Sequence, residues 1–413
     1  MMERLLAKAA AKCDQAELFM EEGRSLLARS SLDKIEACTT SFERGFGLRV
    51  VAKGRIGYSF FTREQDADRA VAEAVRSARL SHNEHYSLPK KAKYPERKGF
   101  DPKVASMGEE QLVDMLLASM DATAEEADPL NAEVEAEDSY ARIISTEGVD
   151  AEARETNFEI SCVGKKKENT GYDFYSSRKF ADRAAAIGSS AGEWAAKGVG
   201  AKPIDYEGMV VLDQDAFLPF LEEVVLRNLN GEMDRRGKST WSGKLGQCVT
   251  GPYSIIDDPT LDWAVGTTPF DDEGVPTVKK TMIRDGVLEA LYYDTRTANL
   301  SGAKSNGSGF RQSHVTMPGI SVTNVSLVPK HRTGVDDGLF VKGLMGYHNM
   351  NPVSGDFSLD ISLALLGDKP VRGCVLTGNI FSILQSCSFG RSDVTRDWFT
   401  SPRISFEGKV VGK

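Results

Sequence analysis

The sequence predicts an α+β protein, with helices packed on antiparallel strands in its N-terminal half and mostly antiparallel β-structure in its C-terminal half. Helical and extended patterns alternate over the first 200 of the 413 residues. Short extended runs separated by turns such as DDEG, RDG and NGSG fill the rest, with one helix near the start. The stretch KGVGAKPID offers two glycines and a proline, which predicts a boundary near residue 200 and two domains, 1–200 and 201–413.

Two capping-box spacings predict helix starts in the N-terminal half. Thr62 is followed three residues later by Gln65, and Ser106 by Glu109. In a capping box the first side chain bonds a backbone amide of the first turn, and the second side chain bonds back. Apolar residues at helical spacing follow both boxes, and a third helix is predicted over 189–197.

Strands are predicted on either side of these helices. Glycine-centred turn signals near Gly23, Gly45 and Gly54 divide residues 16–62 into a meander of short strands. Residues 132–180 return to an extended pattern. The N-terminal half is therefore expected to form one antiparallel sheet covered by helices.

Composition and charge limit the classes of partner. The chain has 60 acidic and 51 basic residues, a net charge of −9, and no concentrated basic face of the kind that phosphate contacts need. We therefore expect no nucleic-acid partner. No signal-peptide core and no run of about 18 apolar residues is present, so we expect a cytoplasmic protein without a membrane partner. Six cysteines without C-x-x-C spacing are typical of reduced thiols.

The predicted helix over 217–229 carries two adjacent carboxylates, Glu222 and Glu223. A zinc peptidase needs imidazole ligands beside such a glutamate, and this helix contains no histidine. The simpler interpretation is a surface ion pair between Glu223 and Arg227. An all-carboxylate site formed with Asp213 and Asp215 is the alternative, and it would suit magnesium or calcium.

Three glycine-rich loops are the other candidate functional segments. They read GTTPFDDEGVPT, SGAKSNGSGFR and GYHNMNPVSGDFS. The second could cradle a phosphate, but it lacks the strand-to-helix context of a phosphate-binding loop. Irregular backbone of this kind also suits peptide recognition. The candidate peptide-binding residues are Asp271, Asp272, Gly274, His348, Asn351, Gly355 and Asp356.

Five segments together resemble the TldD/PmbA family. In chain order they are LEEVVLRNLNGEMDRRGKS, PFDDEGVPT, GVLEALYYDTRTANLSGAKSNG, NPVSGDFS and LTGNIFSIL. Members of that family have been called modulators of DNA gyrase and are peptidase-related proteins of peptide maturation. The resemblance is close over the C-terminal half and looser over the N-terminal half.

The resemblance implies a branch of the family. The TldD branch carries a metal-binding His-Glu-x-x-x-His helix, which the PmbA/TldE branch lacks. Aligning on GEMDRRGKS places Glu222 and Arg227 at the two histidine positions and Glu223 at the glutamate position. This chain therefore resembles the PmbA/TldE branch, with a vestigial motif, no catalytic residue, no metal ligand and no cofactor. We expect Arg227 to pair with Glu222 or Glu223 and to fill the vacant metal space.

The resemblance also implies a function in proteolysis or peptide maturation. The chain is expected to bind extended peptides by adding them to a sheet edge, while a TldD-type metallopeptidase subunit supplies catalysis. A homodimer is the fallback assembly. Two alternatives stay open at this point: an active metallopeptidase with unusual ligands, and a regulatory binding protein of the gyrase-modulator type.

Overall fold

The N-terminal half forms one antiparallel sheet. The computed structural model describes residues 1–32, 34–334 and 337–413. Six strands pair in the order β3-β2-β1-β4-β5-β6, and the antiparallel pairing is as the sequence predicts. Their bounds are Gln15–Ser31 (β1), Lys34–Ala52 (β2), Arg55–Phe61 (β3), Asp128–Ser145 (β4), Asp150–Lys166 (β5) and Asn169–Ser177 (β6).

The strands are longer than the turn signals predict. β1 runs for 17 residues through Gly23, and β2 runs for 19 residues through Gly45, so the predicted turns at both glycines are wrong. Gly45 marks a close approach instead, because a Cβ there would collide with the ring of His314. The turn at Gly54 is confirmed, and its φ of +73° favours glycine.

The helices of this half cover one face of the sheet. Even-numbered side chains of β1 point toward them: Leu18 and Met20 at one end, Leu26 and Ala28 at the other. Odd-numbered side chains such as Glu17 point to the opposite side, called here the polar face. The helices are Met2–Ala10 (α1), Ala67–Leu80 (α2), Pro102–Ala105 (α3), Glu109–Ala124 (α4) and Ala184–Lys197 (α5), and a 3₁₀ turn, Glu64–Asp66, precedes α2.

The predicted helices are present, but their starts differ from the predicted capping boxes. The hydroxyl of Ser106 donates to the Lys103 carbonyl at 3.3 Å and closes α3 instead of opening α4. The amide at the start of α4, from Gly108, donates to the Gln111 side chain at 3.0 Å. Thr62 is separated from α2 by the 3₁₀ turn.

The C-terminal half is built on an eleven-stranded sheet. Five strands close into a ring in the order β7-β14-β15-β17-β19, with β19 pairing back to β7, and β13, β8, β9 and β10 extend it from β19. β16 pairs with β15 and β18 with β19, which completes the eleven strands, while β11 and β12 form a separate two-stranded sheet. Only the β7–β14 and β13–β19 pairs are parallel among the described strands, so the sheet is mostly antiparallel as predicted. The strands are Tyr206–Leu212 (β7), Tyr253–Asp257 (β8), Lys280–Arg284 (β9), Val287–Leu288 (β10), Gly309–Phe310 (β11), Gly319–Ile320 (β12), Val325–Pro329 (β13), Leu339–Met345 (β14), Asp356–Leu366 (β15), Lys369–Val371 (β16), Cys374–Asn379 (β17), Ser388–Arg396 (β18) and Phe399–Gly412 (β19).

Residues 198–205 connect the two sheets, between the end of α5 and the start of β7. Their position agrees with the glycine and proline content that predicted a boundary near residue 200. The division into domains 1–200 and 201–413 stays a prediction.

The C-terminal half has more helices than the single one predicted. The helices are Gln214–Phe220 (α6), Gly231–Arg235 (α7), Thr295–Ser301 (α8) and Ile380–Ser386 (α9), with a 3₁₀ turn at Tyr347–Asn349. The three additional helices are five to seven residues long, too short for a clear apolar periodicity. No helix in the described ranges is both long enough and apolar enough to cross a membrane.

The predicted helix near the start of this half is α6, and it continues as a π-helical turn, Leu221–Leu226. Its apolar face is fully buried in the C-terminal core, where the Phe220 ring lies 4.8 Å from that of Phe357. Pro219 has no amide to bond the carbonyl of Asp215, so the regular α-helical pattern is interrupted just before the π-helical turn begins. Turns of this kind are rare and are frequent at functional sites.

Buried ion pairs hold the two halves together. Arg49 of β2, whose side chain is 3% exposed, lies between Glu17 of β1 and Glu273 of a C-terminal loop, at 2.5 Å from each. Arg311 of a second C-terminal loop bonds the other oxygen of Glu17 at 2.6 Å. Burial by itself would lower the pKa of Arg49, but the neighbouring carboxylates raise it above its ordinary value.

Replacing Arg49 should therefore destabilise the protein. Arg49→Met leaves Glu17 and Glu273 buried without this shared partner, and we expect it to lower the free energy of unfolding by about 3–5 kcal/mol in denaturant titrations. The control is Arg44→Met, since Arg44 is 53% exposed and pairs with Glu22 at 3.4 Å; it should cost less than about 1 kcal/mol. Equal losses in the two variants would contradict the structural role of Arg49.

Candidate functional site

A cleft of about 820 Å³ lies against the polar face of the N-terminal sheet. β4 and β5 form its floor, and the π-helical turn forms one wall through Glu222, Glu223 and Leu226. Segments 265–266, 321–323 and 397–398 complete the lining together with Arg178, which pairs with Glu155 at 2.7 Å. The helix that resembles a metal-binding motif therefore does face a cavity, as a functional helix should.

The floor of the cleft is acidic because glutamates alternate along its strands. Glu137 and Glu159 line it, with Glu135 directly opposite Glu159 in the strand register. Like charges at directly opposed positions weaken a sheet. This arrangement costs stability, and such local conflicts are expected mainly where function requires them.

Burial alters the titration of these carboxyls. It raises the pKa of Glu137 to about 7, and the charges of Glu135 and Glu159 add to the effect. Partial desolvation inside the cleft, with the charges of Glu223 and Asp397, also raises the pKa of Glu222 on the opposite wall. The negative charge of the cleft therefore grows as pH rises through neutrality.

Arg227 does not have its predicted ion-pair partners. Glu222 and Glu223 are exposed toward the cleft, and neither lies within 4.0 Å of the Arg227 guanidinium. Arg227 is half-buried, and its Nε atom has no hydrogen-bond partner in the described structure. The predicted Glu223–Arg227 pair, like the pair with Glu222, is wrong.

The donor set at this helix does not fit a zinc ion. The two positions that resemble histidine ligands hold Glu222 and Arg227, and a guanidinium cannot coordinate a cation. The all-carboxylate alternative is also not assembled. Lys342 Nζ bonds Asp213 at 2.6 Å and Asp215 at 2.7 Å, which commits both carboxylates to a lysine.

The conformation of the first candidate loop, GTTPFDDEGVPT, is fixed by hydrogen bonds to one of its own acidic residues. Asp271 is fully buried and accepts hydrogen bonds from the amides of Glu273, Val275 and Gly309 at 2.9–3.0 Å. Gly274 is buried as well, and its φ of +77° favours glycine. These positions give Asp271 and Gly274 a structural role in place of the predicted contact with peptide.

Asp272 lies nearer to the cleft. It lines an adjoining cavity of about 340 Å³, which shares Glu155, Arg178 and Thr323 with the cleft. Burial raises the pKa of Asp272 to about 6, against the effect of a hydrogen bond from the Arg311 amide at 2.6 Å. Of the predicted loop residues, Asp272 is the one placed beside the same space as Glu222 and Glu223.

The remaining candidate residues lie in the third candidate loop, GYHNMNPVSGDFS. His348, Asn351 and Asp356 are exposed, but none of them is among the described residues that line the cleft or the adjoining cavity. The side chain of Asn351 accepts hydrogen bonds from the amides of residues 353 and 354, both at 3.0 Å. Gly355 is buried at a φ of +81° against Phe381. This loop instead contacts the end of the helix that walls the cleft, where Asn228 Nδ2 donates to the carbonyl of Pro352 at 3.3 Å.

Sequence reasoning missed the acidic floor, although a signal for it was present. The segment AEVEAED places glutamates at every second residue, at positions 133, 135 and 137. Since side chains alternate across a strand, this spacing predicts one acidic strand face. No comparable sequence pattern predicts that Arg178 and Trp398 line the cleft, because each stands alone in its segment.

The raised pKa of Glu137 predicts a measurable dependence of stability on pH. The folded protein holds this proton from the ordinary value of 4.5 up to about 7, and unfolding releases it. The free energy of unfolding contributed by this group therefore falls as pH rises through that window. The Glu137→Gln side chain is uncharged at every pH. The free energy of unfolding of this variant should therefore exceed that of wild type by about 1–3 kcal/mol between about pH 5 and 8. Exposed Glu110 of α4 supplies the control, Glu110→Gln. Parallel wild-type and Glu137→Gln curves would contradict the assignment.

Comparison with known proteins places the chain in a family. Residues 205–413 match the PmbA/TldA metallopeptidase C-terminal domain, and residues 16–78 match PmbA/TldA metallopeptidase domain 1. An uncharacterized protein of Methanocaldococcus jannaschii is 28% identical over 387 residues, 91% of each chain. A metalloprotease TldD homolog of Haemophilus influenzae is 31% identical over 180 residues, 41% of this chain and 37% of the relative.

The fold has a solved counterpart. TldE from Thermococcus kodakarensis superposes with a TM-score of 0.91 over 100% of both chains, at 22% sequence identity. At this identity the likeness is one of fold, and it agrees with the arrangement of sheets and helices described above. The family assignment comes from the C-terminal match, which covers half of the sequence. The chain belongs to the PmbA/TldD family of metallopeptidase-related proteins.

Proposed function

We propose that this chain is a non-catalytic, TldE-type subunit that binds peptides in the acidic cleft. In this proposal a TldD-type metallopeptidase partner supplies the metal and the hydrolysis, and the pair acts in cytoplasmic proteolysis or peptide maturation. One observation carries the proposal: the helix lines the cleft, as a catalytic helix would, but presents Glu222 and Glu223 there without an imidazole.

The chemistry of the helix supports a binding role. Catalytic zinc sites use three protein ligands and keep one position for water or substrate. Glu223 could serve as a general base only beside a metal-bound water, and the neighbouring Arg227 opposes a cation at the second ligand position. What the helix can do is present negative charge to a bound chain.

The charge of the cleft favours one class of peptide. Glutamates from the floor and from the π-helical turn face the same space, so lysine, arginine or a free amino terminus would be attracted to it. The predicted addition of peptide to a sheet edge has less support at β6, where Arg396 already donates to the carbonyl of Phe174 at 3.1 Å. We therefore place the peptide across the side chains of β4 and β5.

The alternatives differ in what they require. An active metallopeptidase would need ligands other than Glu222 and Arg227. A regulatory protein that contacts DNA would need a basic face, but the chain has a net charge of −9 and an acidic cleft. If no TldD-type partner is encoded with this chain, a homodimer is the fallback assembly.

Peptide binding tests the proposal directly. A fluorescent lysine-rich peptide should bind the purified chain, and Glu222→Gln and Glu223→Gln should each weaken binding by up to about fivefold, the effect of losing one exposed ion pair. Glu110→Gln on α4 is the matched control and should leave the affinity unchanged. Higher salt should weaken binding to wild type more than to a variant that carries both Glu222→Gln and Glu223→Gln.

The same samples test the absence of catalysis. Mass spectrometry should find the peptide intact after incubation with the chain and Zn²⁺, and cleaved when the TldD-type partner is added. Cleavage by the chain alone would favour the active-metallopeptidase alternative. Equal binding by Glu222→Gln, Glu223→Gln and wild type would show that the cleft is not the peptide site.

A further inference from the structure

We propose that His314, Glu21 and Glu43 form a binding site for a divalent transition-metal ion such as Zn²⁺, apart from the helix that carries Glu222 and Glu223. One ligand atom from each of the three residues lies within 4.8 Å of the other two. The residues are far apart in sequence, and β1, β2 and the loop after β11 bring them together. This inference does not depend on the proposed function.

The two carboxylates come from neighbouring strands. In the register of β1 and β2, Glu21 lies opposite Gly45, and Glu43 lies opposite Gly23. Both glutamates therefore point from the polar face, each beside a position without a side chain. Glu43 is exposed and has no ion-pair or hydrogen-bond partner among the described residues. It is a free carboxylate at the edge of a buried imidazole.

The imidazole is held in place from several directions. His314 Nδ1 lies 2.6 Å from Glu21 Oε1, and the His314 backbone amide donates to the same oxygen at 2.8 Å. Tyr58 donates its hydroxyl hydrogen to the His314 carbonyl at 2.5 Å. The ring occupies the space left by the missing Cβ of Gly45, and its side chain is only 5% exposed. The Nε2 atom has no hydrogen-bond partner in the described structure.

This donor set suits a borderline metal ion. One imidazole with two carboxylates fits Zn²⁺ or a similar ion, whereas Ca²⁺ and Mg²⁺ prefer oxygen donors alone. The ion would take the place of the proton shared by His314 Nδ1 and Glu21 Oε1, and Glu43 would turn toward it. A neighbouring cavity of about 230 Å³, lined by both glutamates, leaves room for coordinated water.

A bound ion would fasten one half of the chain to the other. His314 belongs to the C-terminal half and both glutamates to the N-terminal sheet, so coordination adds a link to the ion pairs around Arg49. The neighbouring cavity also shares Glu137 and Ser139 with the acidic cleft. Metal binding would therefore stabilise the floor of the cleft without involving the helix.

Metal titration of tag-free protein tests the site. After removal of metals with a chelator, calorimetry should show one Zn²⁺ bound per chain, and Co²⁺ should give the visible absorption of a nitrogen- and oxygen-ligated ion. His314→Gln and Glu43→Gln should each weaken Zn²⁺ binding at least tenfold. His331→Gln alters an exposed histidine outside the site and should bind as wild type does.

The exposed position of Glu43 keeps the test interpretable, since Glu43→Gln should fold normally even if His314→Gln does not. Zn²⁺ should also raise the melting temperature of wild type and not that of Glu43→Gln. No Zn²⁺ bound by wild type, or equal binding by wild type and Glu43→Gln, would overturn the proposal. Binding lost only in Glu222→Gln or Glu223→Gln would place the metal in the cleft and contradict it as well.

Discussion

The buried charges around Arg49 are the interaction on which the rest of the structure depends. They join β1 and β2 of the first sheet to two loops of the second half, through Glu273 and Arg311. Without this docking, the polar face of the first sheet would be open to solvent. With it, the sheet becomes the floor of a cleft whose walls come from the other half. Removing one partner of such a buried network is costly, because the remaining charges stay buried without compensation.

Several carboxylates of the cleft lower the stability of the folded protein. Glu135 opposes Glu159 across two strands, and burial holds the pKa of Glu137 near 7. A sheet selected for stability alone would place opposite charges or β-branched residues at these positions. The π-helical turn adds two more carboxylates on the facing wall. Negative charge is concentrated where a bound chain would lie, and this is the physical basis for assigning a cationic peptide.

How far the sequence predicts the structure depends on how local each feature is. The apolar face of α6 follows from periodicity, the mostly antiparallel character of the sheets follows from the turns between extended runs, and the five C-terminal segments are enough to indicate the family. Gly23 and Gly45 wrongly predict turns. At Gly45 the glycine is explained by a long-range contact with the ring of His314. The burial of Asp271 and the isolation of Arg227 likewise depend on chain packing. No spacing rule could bring His314 to Glu21, since 293 residues separate them.

The central claim is that peptides bind along the acidic floor and the π-helical turn. Hydrogen exchange with and without a saturating lysine-rich peptide tests this claim most directly, because it reports where the backbone becomes protected. The account predicts added protection in residues 133–159 and 221–226, which border the cleft. Protection confined to the loop at residues 346–356, with no change in the β4–β5 floor, would contradict it.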